Sequence, residues 1–323
     1  MTRSALVFLF VGAIGCGDGA EPANRCAMGA PWDAAPDLML GPAQETVAAA
    51  VDGKIYVMGG FHSQAVGNVV QVFDTKTCEW SQGPDLPTDI HHANAAVLDG
   101  TIYIVGAMRD GGAYTAIGDT WSWNPKTETG WTVRTPMPAG TQRGSSSVGV
   151  IDGKIWVAGG LRDGSRNDVS FYDPAADTWT DGPPLLQLRD HACGGVIRGK
   201  LYVAGGRNLI PTLPEANLYE LTPGVGWTER ARMPTARAGA ACAVIGDRLI
   251  VAGGERNTAA GSRGVFPQVE AYDPTTDSWE SLAPMPTPRH GMGAATWEGR
   301  LYIPGGADQE AAGAVAVHEV LTP

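Results

Sequence analysis

Guanidinium groups are the most regularly placed chemistry in this 323-residue chain. Arg143, Arg189, Arg237 and Arg289 each open a run of small residues and recur at roughly 45–55 residues. Ala43 and Ile90 hold the same position in two earlier copies. A second tier lies two residues beyond a glycine signal, at His62, Arg109, Arg162, Asn208, Arg256 and Asp308. A guanidinium is planar, stays charged and donates in pairs, so several around one opening suit a carboxylate, phosphate, sulfate or acidic loop. The candidate ligand-binding residues are Arg109, Arg143, Arg162, Arg189, Arg237, Arg256 and Arg289. The same segments carry Asp110, Asp163, Asp168, Asp190, Glu215, Glu255 and Asp308. Pairing with these acids is the competing use of the arginines.

Imidazoles follow closely. His91, His92, His191 and His290 stand one or two residues past the arginine position. Three imidazoles could hold zinc or copper, but ligand atoms must come within about 2 Å of one ion. A wide axial channel keeps them apart, so no metal and no cofactor is expected. His191 with Asp190, or Glu255, could act as acid or base. No motif fixes that role, and no catalytic residue is assigned.

The elements that must position these groups are short apolar strands closed by glycine pairs. Lys54–Met58 ends in Gly59-Gly60, Lys154–Ala158 in Gly159-Gly160, and Lys200–Ala204 in Gly205-Gly206. Arg248–Ala252 ends in Gly253-Gly254 and Arg300–Pro304 in Gly305-Gly306, while Thr101–Val105 ends in Gly106-Ala107. Each unit then runs through a polar loop, a strand ending in an aromatic-Asp type turn (Phe73-Asp74, Tyr172-Asp173, Tyr272-Asp273), and a tryptophan strand. The tryptophans are Trp80, Trp131, Trp179, Trp227 and Trp279. Four short strands per unit predict an all-β propeller, with small residues innermost and tryptophans between neighbouring blades.

These motifs resemble the Kelch repeat family over residues 31–323. The departures are the missing second glycine in unit two and Leu221-Thr222-Pro223 in unit four. The resemblance implies a six-bladed β-propeller of four-stranded blades. The last unit stops at Leu321-Thr322-Pro323, and Trp32–Leu38 matches Trp80–Leu86, so the N-terminal segment is expected to supply the outer strand of the last blade and close the ring. Among related Kelch enzymes, the copper site of galactose oxidase implies paired tyrosines and histidines. Tyr114 is the only tyrosine in a loop on the arginine face, which argues against that chemistry.

The first residues differ in kind. Ala5–Ile14 is apolar but too short to span a bilayer. Ala13-Ile14-Gly15-Cys16 resembles a bacterial lipobox. The expected organisation is a signal peptide over 1–15, a tether over 16–30 lipidated at Cys16, and the propeller over 31–323. Cys26 and Cys78 are a possible disulfide at one rim, which an exported protein permits. Cys193 lies four residues past its repeat arginine and Cys242 five, so the two point to opposite strand faces and are expected to stay unbridged.

The net charge of −11 disfavours nucleic acid. All five lysines fall in turns on one side of the ring, and the arginine clusters fall on the other. The expected function is an exported Kelch recognition module in the cell envelope, monomeric and held to the membrane by its lipid alone. Its ligand is a protein or glycan met through the arginine-bearing loops, which an anionic group would suit. The alternative is an exported Kelch enzyme acting on an anionic sugar, similar to the sialic-acid mutarotases.

Overall fold

The computed structural model describes residues 29, 31–63, 65–209 and 212–323. The expected signal peptide, Cys16 and Cys26 lie outside the described residues. The rest is all-β and carries six four-stranded antiparallel sheets. The first is built from Val47–Val51, Lys54–Met58, Val70–Asp74 and Glu79–Gln82 in chain order. Four more follow the same plan. The sixth joins Ala295–Trp297, Arg300–Pro304 and His318–Leu321 to the N-terminal strand Trp32–Ala35, which pairs Trp32 with Leu321 and Ala35 with His318.

The strand sequences follow from this packing. A sheet covered on both faces needs apolar side chains on both, so its second strand reads as a continuous run rather than an alternation. Ile55, Tyr56, Val57 and Met58 are all buried, as are Leu201 to Ala204. First strands need small residues, because they crowd the axis. Ala48, Ala50, Ala96, Gly195 and Ala243 line an axial cavity of about 300 Å³.

Three sets of hydrogen bonds tie the sheets in cyclic order. Outermost, each tryptophan indole donates to a carbonyl of the preceding sheet. Trp80, Trp131, Trp179, Trp227 and Trp279 reach Pro36, Pro84, Thr135, Pro183 and Ala231. Trp32 reaches Ala283 at 2.9 Å. Midway, the second glycine of a pair donates to the next sheet's restart residue, as Gly60 to Ile90 (2.8 Å), Gly160 to Arg189 (2.7 Å) and Gly306 to Ala43 (2.8 Å). The first glycine sits at φ 63° at Gly59, where a Cβ would lie 2.6 Å from the Ile90 carbonyl. That close approach is why the pair recurs. In the second unit Gly106 alone keeps it, and the Arg143 carbonyl accepts from Asn94 Nδ2 at 2.9 Å instead.

Innermost is a closed circuit. The amide of Glu45 donates to Gly291, Gly291 to Gly239, Gly239 to His191, His191 to Ser145, Ser145 to His92 and His92 back to Glu45, over 2.6–3.2 Å. All six residues have positive φ between 49° and 62°. Each lies two residues past the repeat-arginine position of its own unit.

Cys193 and Cys242 form a disulfide with Cα atoms 5.4 Å apart, which corrects the expectation that they stay unbridged. They do project from opposite faces. In neighbouring sheets, however, opposite faces look at each other across the same gap. Cys78 is also disulfide-bonded.

Candidate functional site

The four restart arginines are structural, which corrects their expected place in a binding site. Arg143, Arg189, Arg237 and Arg289 are among the most deeply buried side chains of the described residues. Arg143 donates to the carbonyls of Thr141, Val157 and Gly159 and to Ser170 Oγ. Arg237 and Arg289 each pair at 2.7 Å with a buried carboxylate of their own sheet, Glu270 and Glu319. Arg189 donates to Gln187, Leu188 and Asn217. The guanidinium serves here because it alone offers enough donors to satisfy several inward-facing carbonyls at once. Burial lowers the affinity of Arg143, Arg237 and Arg289 for their protons, taking Arg143 down to about 10.

The second tier divides. Arg162 pairs with Asp168 at 3.0 Å. Arg109 is exposed and borders a separate cavity of about 330 Å³ with Asp89 and Asp110. Arg256 lines the central cavity but is held by Glu310 at 2.7 Å. The arginine that does reach the axis is Arg207, just after Gly205-Gly206 and outside both tiers.

That axial cavity has a volume of about 430 Å³. The backbone circuit forms its floor, and the circuit's side chains point into it. Glu45, His92 and His191 come from the circuit position itself; Asp190 and His290 come from the residue before. Left-handed backbone at these positions turns successive side chains toward the axis. His92 Nε2 lies 3.0 Å from His191 Nε2 and 3.1 Å from Glu45 Oε2. The separation expected of a wide channel is therefore absent. His191 Nδ1 lies 2.5 Å from Asp190 Oδ1, and Ser165 Oγ donates to the other oxygen of Asp190. Arg207 donates to Asp190 at 3.0 Å and to Glu255. Its Nη2 lies 3.2 Å from His191 Nε2. Tyr114 and Phe61 stand at the upper edge, with ring centroids 4.9 and 4.4 Å from that of His91.

Protonation follows from burial. Desolvation and the neighbouring His191 push His92 well below the ordinary imidazole range, and burial takes His91 down to about 4. Burial alone would raise Asp190. The hydrogen bonds from His191 and Ser165 and the charge of Arg207 outweigh it, so the carboxyl sits below its usual range. Burial raises Tyr114, with Glu45 adding to the effect. His92 is thus held neutral, and Asp190 ionised.

Its overall sign is not that of an anion site. Glu45, Asp163, Glu255 and Glu310 outnumber Arg207 and Arg256 around the walls. The residues that sequence reasoning missed were Arg207, Glu45 and the circuit position. Aligning the residue two past each repeat arginine would have gathered Glu45, His92 and His191 together.

The match to known proteins concerns the scaffold. Residues 39–206 match the KLHDC2/KLHL20/DRC7 Kelch-repeats domain, and residues 236–286 match the Kelch motif. The Kelch-like protein terF of Aspergillus terreus is 34% identical over 95% of this chain and 70% of its own length. Kelch-like protein 36 of Mus musculus is 28% identical over 72% of this chain, which spans only 38% of that protein. The solved structure of YjhT superposes with a TM-score of 0.73 at 19% identity, covering 88% of this chain and 95% of YjhT. The chain therefore belongs to the Kelch repeat family.

Proposed function

We propose that the chain is a six-bladed Kelch recognition module that takes a small, hydroxyl-rich ligand, a sugar or the end of a glycan, into the axial cavity of its loop face. The six sheets are read as six blades, and Trp32–Ala35 as the strand that closes the ring. One observation carries the ligand reading: a cavity of about 430 Å³ lined by carboxylates, imidazoles and two arginines, with the Tyr114 ring on its wall. Such a site has donors and acceptors for hydroxyls and a ring face for an apolar sugar face, in a volume suited to one or two residues of a glycan. Because carboxylates predominate, a neutral sugar fits better than an acidic one, which narrows the anionic ligand first expected.

The test is a saccharide panel, neutral and acidic, titrated into the purified full chain by calorimetry. Neutral sugars should bind, and Tyr114→Ala and Glu255→Gln should weaken binding at least tenfold. Lys154→Ala, on the other side of the ring, should bind as wild type. Absence of saccharide binding, or normal binding by both cavity variants, overturns the reading.

The enzyme reading is favoured by a separate observation. The 2.5 Å contact with Asp190 fixes the His191 ring and presents its Nε2 to the cavity, as a general base requires. Turnover of a bound sugar, followed by NMR, separates enzyme from binder. For location, we propose export with lipidation at Cys16. The bridge Cys193–Cys242 and the bonded Cys78 suit an oxidising compartment. Fatty-acid labelling of wild type but not of Cys16→Ser is the expected result, and equal labelling refutes it.

A further inference from the structure

Three ligand-type atoms, from His92, His191 and Glu45, crowd together beneath the cavity. The Asp190 carboxylate accepts from His191 Nδ1 at 2.5 Å, so Nδ1 carries a proton and Nε2 is the ring atom turned to the cluster. That Nε2 lies 3.0 Å from His92 Nε2. The Glu45 carboxylate completes a cluster whose three ligand atoms all lie within 4.8 Å of one another. His92 Nδ1 lies 2.6 Å from His91 Nδ1, so His91 can fix the His92 ring as Asp190 fixes that of His191.

A second, independent observation points the same way. His290 is buried, and its Nε2 lies 3.0 Å from the Gln309 carbonyl. Nδ1 has no hydrogen-bond partner and is aimed at carboxylates, 3.7 Å from Glu45 Oε1 and 3.8 Å from Glu255 Oε2. A buried ring nitrogen without a hydrogen-bond partner is costly, and carboxylates gathered this closely favour a cation among them. The local charge leaves room for it. Glu45, Asp190 and Glu255 are balanced only by the single guanidinium of Arg207 among the groups that touch them here.

We propose that this floor is a divalent transition-metal site, with His92 Nε2, His191 Nε2 and a Glu45 oxygen as its three protein ligands. Two imidazoles and one carboxylate, with a fourth position open to the cavity, make the donor set of a catalytic-type zinc site and also suit cobalt. Asp190 and His91 then act as the outer partners that hold each imidazole in its ligating tautomer. Ligand distances of about 2.0–2.2 Å require the three donors to draw to roughly 3.4 Å from one another. His92 and His191 already stand near that separation. Metal entry displaces the contact between Arg207 Nη2 and His191, while Arg207 keeps Asp190 and Glu255. The site shares the cavity proposed for the sugar but does not rest on it, because metal uptake is a property of the chain alone.

The experiment uses the full chain, stripped with EDTA and desalted, and needs no saccharide. Cobalt(II) titration should give the visible spectrum of a tetrahedral nitrogen and oxygen site, saturating at about one ion per chain and displaced by zinc. His191→Gln and Glu45→Gln, chosen as near-isosteric changes, should abolish the spectrum. Asp190→Asn should weaken zinc binding about 10–100-fold, as loss of an outer partner does. Lys154→Ala should titrate as wild type. Circular dichroism confirms that each variant is folded. A wild-type chain that takes up no cobalt overturns the proposal, as does an unchanged cobalt spectrum in folded Glu45→Gln. Calorimetry with sugar on the EDTA-treated chain is read separately, so either reading can fail without the other.

Discussion

Replacing Arg289 with alanine should destabilise the fold and leave the cavity's chemistry untouched. Arg289 is fully buried, donates to Glu319 at 2.7 Å and holds the Ile303 carbonyl at 3.1 Å. Without it the Glu319 carboxylate, itself buried, keeps only Thr287 Oγ1 at 2.8 Å. Removing one partner of a buried ion pair costs about 3–5 kcal/mol, chiefly because the other charge stays desolvated and uncompensated. At about 2–4 °C per kcal/mol for a domain somewhat smaller than this, the melting temperature should fall by roughly 6–20 °C. The double variant Arg289→Met with Glu319→Met removes both charges and should recover most of that loss, since apolar replacement of a whole buried pair is near neutral or better. Thermal melts of the wild type, the single and the double variant measure this, with saccharide and cobalt titrations below the melting range. The reasoning fails if Arg289→Ala melts with the wild type, or if the double variant melts as low as the single one. It also fails if the variant is stable but loses ligand, which would return the restart arginines to the binding surface.

Three further outcomes are expected. Deleting residues 31–38 exposes the edge of His318–Leu321 and removes the Trp32 indole bond and the buried Leu38, so the truncated chain should melt lower than wild type; equal melting refutes closure by this strand. Reducing the Cys193–Cys242 bridge, or replacing both cysteines by alanine, should cost about 2–4 kcal/mol in a urea melt, and no change on reduction would show the bridge is not formed. His318 is fully enclosed by Phe73, Trp80 and Tyr302, and burial takes it down to about 3. Its folded state refuses a proton that the unfolded chain accepts below about pH 6.5, so its stabilising contribution is complete above that pH and is lost as pH falls toward 3. His318→Leu should flatten the acid limb of stability by on the order of 3 kcal/mol at about pH 4, and an unchanged limb refutes the assignment.

The scaffold was largely legible in the residues. Glycine pairs announce where a strand must pass within contact of the next sheet's backbone, because no Cβ fits there. The match between Trp32–Leu38 and Trp80–Leu86 foretold a strand pairing that spans almost the whole chain, and the two tryptophans do make equivalent bonds. The site was not legible, for two physical reasons. Regular spacing was taken as a sign of binding, whereas Arg143, Arg189, Arg237 and Arg289 recur because each satisfies buried polar groups of its own unit. The left-handed circuit position is invisible to residue type, since Glu45, His92, Ser145 and His191 adopt it as Gly239 and Gly291 do. The cysteine pair was misjudged from a correct premise: alternation put the thiols on opposite faces, and the stacking of neighbouring sheets turned those faces toward each other.

Six copies of one unit in a single chain allow each repeat position to be weighed by what varies. Positions that keep one residue type in most units, the glycine pair, the outer tryptophan and the restart arginine, serve the packing of the sheets. Each of them ends in a backbone carbonyl: of the next sheet, of the preceding sheet, or of its own sheet. The circuit position is different. Its backbone does the same work in all six units, closing a hydrogen-bonded ring, so its side chain is released from structural duty. There the units diverge into Glu45, His92, Ser145, His191, Gly239 and Gly291. Glycine at two of the six makes room for neighbouring side chains: a Cβ at Gly291 would lie 2.5 Å from Glu45 Oε1. A repeat that varies only where its backbone already secures the fold can change the chemistry at its axis without endangering the ring. The function of this chain is therefore to be sought at that position and its immediate neighbours, Asp190, His290 and Arg207, before the long exposed loops that surround them.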